Sequence, residues 1–183
     1  MMENKYVLIV VDVQVGVMQT AWEADRIIKN VSLAVSKARA KHIPVIWVQH
    51  SDGELIHGSP EWEWVPELSP APDEKRIEKN YNSSFEQTEL EDVLSNLGAT
   101  HIVLCGAATN WCIRATAYGA LERGYDLTLL EDAHTTETIE LGNGATIKAE
   151  DVIHDLNVTM DWISYPRSST SVTSVGVVEF AQE

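Results

Sequence analysis

Tyr6-Val-Leu-Ile-Val-Val11 is apolar at every position, and this run limits the fold more than any other stretch of the chain. A strand with one wet face alternates apolar and polar residues. A strand covered on both faces does not, which is the condition of strands inside a parallel sheet. Helices must then lie on both sides of it, and their signatures follow at suitable intervals. Ile27, Ile28, Val31, Ala34, Val35 and Ala38 recur at helical spacing between Asp25 and Lys41, and Pro44-Val-Ile-Trp-Val48 is a second strand. Leu90, Val93, Leu94 and Leu97 trace a helix that opens at Thr88-Glu-Leu-Glu91, a capping-box sequence, and stops at Gly98. Next come a strand over 102–105, a helix after Cys112 ending at Gly124 and a strand over 126–130. A helix over about 146–160, built on Ile147, Val152, Ile153 and Leu156, and a strand near 172–178 complete the pattern.

This alternation predicts an α/β fold: a three-layer αβα domain around a mainly parallel sheet. The length of 183 residues suits one domain over 1–183. Residues 51–75 hold four of the six prolines and break periodicity, so they read as a long ordered loop with Trp62 and Trp64 as anchors. Lys and Arg number 13 against 28 Asp and Glu, a formal charge of −15. That balance argues against nucleic acid or an anionic membrane as partner. No run approaches the length of a membrane span and no secretory leader is recognisable, so a cytoplasmic home is expected. Two cysteines, Cys105 and Cys112, are too few for a disulfide framework or a structural zinc site.

Ligands of such sheets bind beyond the carboxyl ends of the strands. Asp12 follows the first strand directly, and Cys112 follows the strand over 102–105 after the turn Gly106-Ala-Ala-Thr-Asn-Trp111. Both therefore belong to one rim. A thiol where a strand passes into a helix N-terminus faces unpaired N–H groups and a partial positive charge, which favour the thiolate. Asp12 could take up the thiol proton. Cys105 sits inside its strand and reads as inert core. Asp132, Thr135 and Thr136 follow the strand over 126–130 at the same rim. A Gly-x-Ser-x-Gly elbow, a P-loop and a dinucleotide fingerprint are all missing from the sequence.

Three pieces stand in order: Val11-Asp-Val-Gln14, Ile77-Glu-Lys-Asn-Tyr-Asn-Ser-Ser-Phe85, and Gly106-Ala-Ala-Thr-Asn-Trp-Cys112. Together they resemble the isochorismatase-like cysteine hydrolases, a family that includes nicotinamidases and N-carbamoylsarcosine amidases. The resemblance runs from Tyr6 to the last strand. It implies a six-stranded, Rossmann-like sheet and a catalytic triad of Asp12, Lys79 and Cys112, in which the Lys79 charge would lower the thiol pKa further. It also implies a cis peptide at Ala107–Ala108 that aims the Ala108 N–H, with that of Cys112, at a developing oxyanion. Gln14, His50, Tyr81, Phe85, Trp111 and Tyr118 are candidate substrate contacts, each with core packing or chain capping as its plainer role. Many nicotinamidases carry an Asp-x-His pair after the second strand. Here Gln49-His-Ser-Asp52 reverses that order, with His57 further on. Zinc on His50, Asp52 and His57 is an alternative, but no cofactor and no resident metal are expected.

The leading expectation is thus a hydrolase that cleaves a C–N amide bond of a small molecule through a cysteine thioester. Vinyl ether hydrolysis of the isochorismatase type, nicotinamide hydrolysis, and a non-hydrolytic redox thiol or scaffold stay open as alternatives. The resemblance further implies a homo-oligomer, with Trp62, Trp64 and Trp162 suited to its contacts unless they pack the long loop onto its own domain.

Overall fold

The computed structural model describes residues 5–180. The first half contains β1 (Tyr6–Val11), a short helix α1 (Val15–Met18), α2 (Ala24–Ala40), β2 (Val45–His50), β3 (Lys75–Lys79) and α3 (Leu90–Leu97). Then come β4 (His101–Ala107), a π-helical turn (Thr109–Ile113) running into α4 (Arg114–Glu122), and β5 (Asp126–Thr135). A small hairpin, β6 (Ile139–Glu140) and β7 (Thr146–Ile147), precedes α5 (Ala149–Trp162) and β8 (Thr170–Thr173). Six strands form one parallel sheet in the order β3-β2-β1-β4-β5-β8. The three-layer α/β architecture expected from the alternation is the one observed.

Successive residues of a strand point to opposite faces, and here both faces are buried. Leu8, Val10, Trp47, Val103 and Cys105 pack towards α2. Val7, Ile9, Val11, Ile46, Val48, Ile102 and Leu104 pack with residues of α3, α4 and α5. Full burial of each such side chain stabilises the fold by about 1.5–3 kcal/mol. One helix cannot cover the α2 face of a six-stranded sheet. Val65 and Leu68 of the long loop and Val175, Val178 and Phe180 of the tail complete that layer.

Some local expectations need correction. The edge strand β3 was not foreseen, because Lys-Arg-Ile-Glu-Lys offers one apolar residue and reads as polar loop. The capping box does not form. α3 starts two residues later, and the Thr88 hydroxyl donates to the Ser84 carbonyl and accepts weakly from the Leu90 N–H. Gly98 does stop that helix, with φ of 65°. Thr146 and Ile147 lie in the β6–β7 hairpin, where the Thr146 hydroxyl donates to the Glu140 carboxylate at 3.0 Å, so α5 begins at Ala149. The last strand ends at Thr173, and Val175 and Val178 beyond it are core residues of the tail.

Candidate active site

β1 and β4 are neighbours at the centre of the sheet, and the chain leaves them in opposite directions, from β1 towards β2 and from β4 towards β5. That divergence opens a crevice beyond their carboxyl ends, and three side chains meet there. Asp12 is the first residue after β1. Its φ of 52° lies in the left-handed region, which aspartate tolerates better than most residues, and its N–H donates to the Val48 carbonyl at 2.9 Å. Lys79 ends β3 in register with His50 at the end of β2. The pleat of β3 buries Ile77 and Lys79 and exposes Glu78 between them. Cys112 stands in the π-helical turn after β4. Gly106, paired with Val11, permits the close approach of β4 to β1 here: a Cβ on it would fall 2.0 Å from the Val11 carbonyl oxygen.

Lys79 Nζ lies 2.7 Å from Asp12 Oδ2 and donates to Cys112 Sγ at 3.2 Å and to His50 Nδ1 at 3.1 Å. Oδ2 of Asp12 is held by this ion pair, and its Oδ1 faces no hydrogen-bond donor among the described residues. Because His50 Nδ1 accepts from the ammonium, the imidazole proton sits on Nε2, which donates to Asp52 Oδ2 at 3.2 Å. Asp12 and Lys79 are each 1% exposed and Cys112 is 8% exposed. Burial pulls the Lys79 ammonium down, but the charges of Asp12 and Cys112 more than offset it, and its pKa lies above the ordinary value. Burial pushes the Cys112 thiol up to about 12; the Asp12 charge adds to the rise and Lys79 opposes it. Cys112 is not at an open helix N-terminus. It lies inside a turn that begins at Thr109, beside a carboxylate.

Buried hydrogen bonds hold this turn. The Thr109 hydroxyl donates to His134 Nδ1 at 2.8 Å, and His134 Nε2 donates to Asn157 Oδ1 at 2.8 Å. Burial lowers His134 to about 4, so the ring is neutral with one donor and one acceptor, which is what those two neighbours require. The Thr136 hydroxyl donates to Asn110 Oδ1 at 2.6 Å. His134 and Asn157 were not singled out from the sequence; the available signal was a histidine in Asp132-Ala-His-Thr-Thr136, on a strand that runs five residues further than its apolar part.

A cleft of about 510 Å³ opens beside the trio. His50, Asp52, Ala107, Ala108 and Trp111 line it on the catalytic side, with α1 residues, Glu54, Leu55, Glu61, Thr136 and Glu137 around the rest. The Ala107–Ala108 peptide is cis, and the Ala108 N–H donates to no group among the described residues. Of the suggested substrate contacts, His50 and the 54% exposed Trp111 belong to the cleft. Gln14, Tyr81, Phe85 and Tyr118 are not among its lining residues. Gln14 is fully buried, and its amide donates to the carbonyls of His50 and Trp62 and accepts from the His50 N–H. Phe85 packs on Gly119 under the Arg123 guanidinium, 4.6 Å from its ring. Tyr118 rests against the core, and Tyr81 is half exposed elsewhere. Trp64 packs the long loop onto Trp47 of β2, and Trp62 stacks on the exposed His57 of the same loop. Among the described residues, no group of three His, Cys, Asp or Glu is arranged to hold a metal ion.

A family model described as the isochorismatase domain matches residues 6–155; the chain belongs to the isochorismatase family. A streptothricin hydrolase of Streptomyces noursei is 35% identical over 145 residues, 75% of this chain and 57% of that protein. A ureidoacrylate amidohydrolase of Variovorax paradoxus is 32% identical over 110 residues, 60% of this chain and 41% of that protein. The chain thus spans about half the length of these relatives. The crystal structure of an isochorismatase from Pseudomonas putida shares the fold, with a TM-score of 0.86 over 96% of this chain and 90% of that one at 24% identity.

Proposed function

We propose that the chain acts as one isochorismatase-like unit that hydrolyses a C–N amide bond of a small molecule, with Cys112 as nucleophile. The observation that carries this reading is the convergence of Asp12, Lys79 and Cys112 within 3.2 Å contacts of one ammonium, beside a cleft. Two relatives named as a hydrolase and an amidohydrolase support it.

In the first half-reaction Sγ attacks the amide carbonyl carbon while its proton passes to a free oxygen of Asp12. The buried ion pair keeps Asp12 beside the thiol, and Lys79 stabilises negative charge on sulfur as the proton leaves. The carbonyl oxygen takes up the electron pair and rests on the N–H groups of Ala108 and Cys112, donors of a kind that each contribute about 2.7–4 kcal/mol to transition-state stabilisation. Asp12 then protonates the leaving nitrogen, the C–N bond breaks, and an acyl thioester stays on Cys112. In the second half-reaction Asp12 accepts a proton from water as the hydroxide oxygen attacks the thioester. The C–S bond breaks, sulfur recovers the proton, and the acid departs.

A thiol held at about 12 suits this shuttle, in which sulfur is deprotonated only as it attacks. The test is ammonia or amine release from a panel of primary amides and lactams, with intact-protein mass spectrometry during turnover. Acyl mass on the wild-type chain and no turnover by Cys112→Ala are expected. Full turnover by Cys112→Ala, or vinyl ether cleavage that needs no thiol, would overturn the mechanism.

A further inference from the structure

The cleft carries a charge pattern that amide hydrolysis itself does not require. Four of its lining residues, Asp52, Glu54, Glu61 and Glu137, are carboxylates, and none is lysine or arginine. Among the described residues Glu54, Glu61 and Glu137 take part in no ion pair, and Asp52 meets only His50. The N–H groups of Leu55 and Glu54 hold the Asp52 carboxyl below its usual range, so it stays ionised. The nearest cation, Lys79, is buried and already matched by Asp12. The only titratable base on the wall is His50, whose Nδ1 is occupied by Lys79 and whose Nε2 faces Asp52.

Building on the hydrolase reading, we infer that the amide substrate bears a cationic group, an ammonium or guanidinium, remote from the scissile bond. An anionic substituent would enter a wall of four carboxylates and find no free counter-charge. A cationic one gains from all four at once, because a cleft of this volume keeps them within about a Debye length of its contents, ~10 Å at 0.1 M salt. Clefts lined by one sign of charge focus the field and raise the local concentration of the opposite ion. The same wall repels the carboxylate that amide hydrolysis creates, and so favours release of the acid.

Three amides of matched length separate charge from shape: 6-aminohexanamide, hexanamide and adipic acid monoamide. Ammonia release should give kcat/KM in that order, with about a tenfold or greater gap between the first and the last at low salt. The gap should narrow as sodium chloride is raised and in the variant Glu54→Gln/Glu61→Gln/Glu137→Gln. Equal kcat/KM for all three, or preference for the monoamide, with release still abolished in Cys112→Ala, overturns the charge assignment and leaves the hydrolase reading standing. If no amide is cleaved, the hydrolase reading is what fails. Binding of the three compounds to Cys112→Ala, followed by saturation-transfer NMR, then decides the charge assignment alone. Tighter binding of 6-aminohexanamide supports it; equal binding or none overturns it.

Discussion

One ammonium sets the electrostatics of the candidate site. Lys79 is sealed from solvent against Asp12 and Cys112, and an ion taken out of water is tolerated only when its charge is answered. Lys79→Met leaves the Asp12 carboxylate buried and unanswered, a loss of about 3–5 kcal/mol. The double variant Asp12→Asn/Lys79→Met, which removes both charges, should be more stable than Lys79→Met alone in urea unfolding. A double variant as unstable as the sum of the singles would show that the charges do not act as a pair. The sulfur responds to the same ammonium. With the Cys112 thiol at about 12, iodoacetamide labelling of the free protein should rise with pH and reach no plateau between pH 7 and 10. Lys79→Met should slow it, since losing the cation raises the thiol further. Cys105, wholly buried in β4, should stay unlabelled while the protein is folded, which peptide mapping can check.

At the level of elements, the position of Cys112 depends on a turn clamped by a residue from β5 and one from α5. His134 is neutral because burial holds its pKa near 4, against an ordinary value of 6.5. Between those two values the unfolded chain binds a proton that the folded chain refuses, so stability is intact above the unfolded value and falls as pH drops. The loss attributable to this residue approaches about 3 kcal/mol by pH 4. His134→Gln should be less stable at pH 7 but show a flatter profile between pH 6.5 and 4, measured by denaturant midpoint; parallel profiles would contradict it. β1 was plain in the sequence because six apolar residues in a row admit few other readings. Asp12 and Cys112 were legible for the same reason, since each sits just past a legible strand. β3 was not, because an edge strand needs few apolar residues, and the clamp was not, because Thr109, His134 and Asn157 gain meaning only when three elements touch. Phe85 and Tyr118 misled as cleft walls: an aromatic near a motif is as readily the anchor that fixes the motif.

For the molecule as a whole, one sheet face is covered by α3, α4 and α5, and the other by α2 with a loop and a tail. The outward side of α5 presents Val158 and Trp162, one turn apart and 50% and 80% exposed. We propose that copies of the chain associate, as the family resemblance implies; sedimentation velocity should show an assembly larger than one chain, and a monomeric wild type would end that proposal. Asp12, Lys79 and Cys112, meanwhile, stand on strand ends and the turn after β4, whereas Asp52, Glu54 and Glu61 stand on the segment between β2 and β3. Gln14 holds that segment by the main-chain carbonyl of Trp62, a grip indifferent to which side chain is attached there. Appetite and chemistry are therefore written in separable parts of the chain. Grafting a different sequence between positions 52 and 61 should, on the proposed function, change which amides are accepted without changing the bond that breaks.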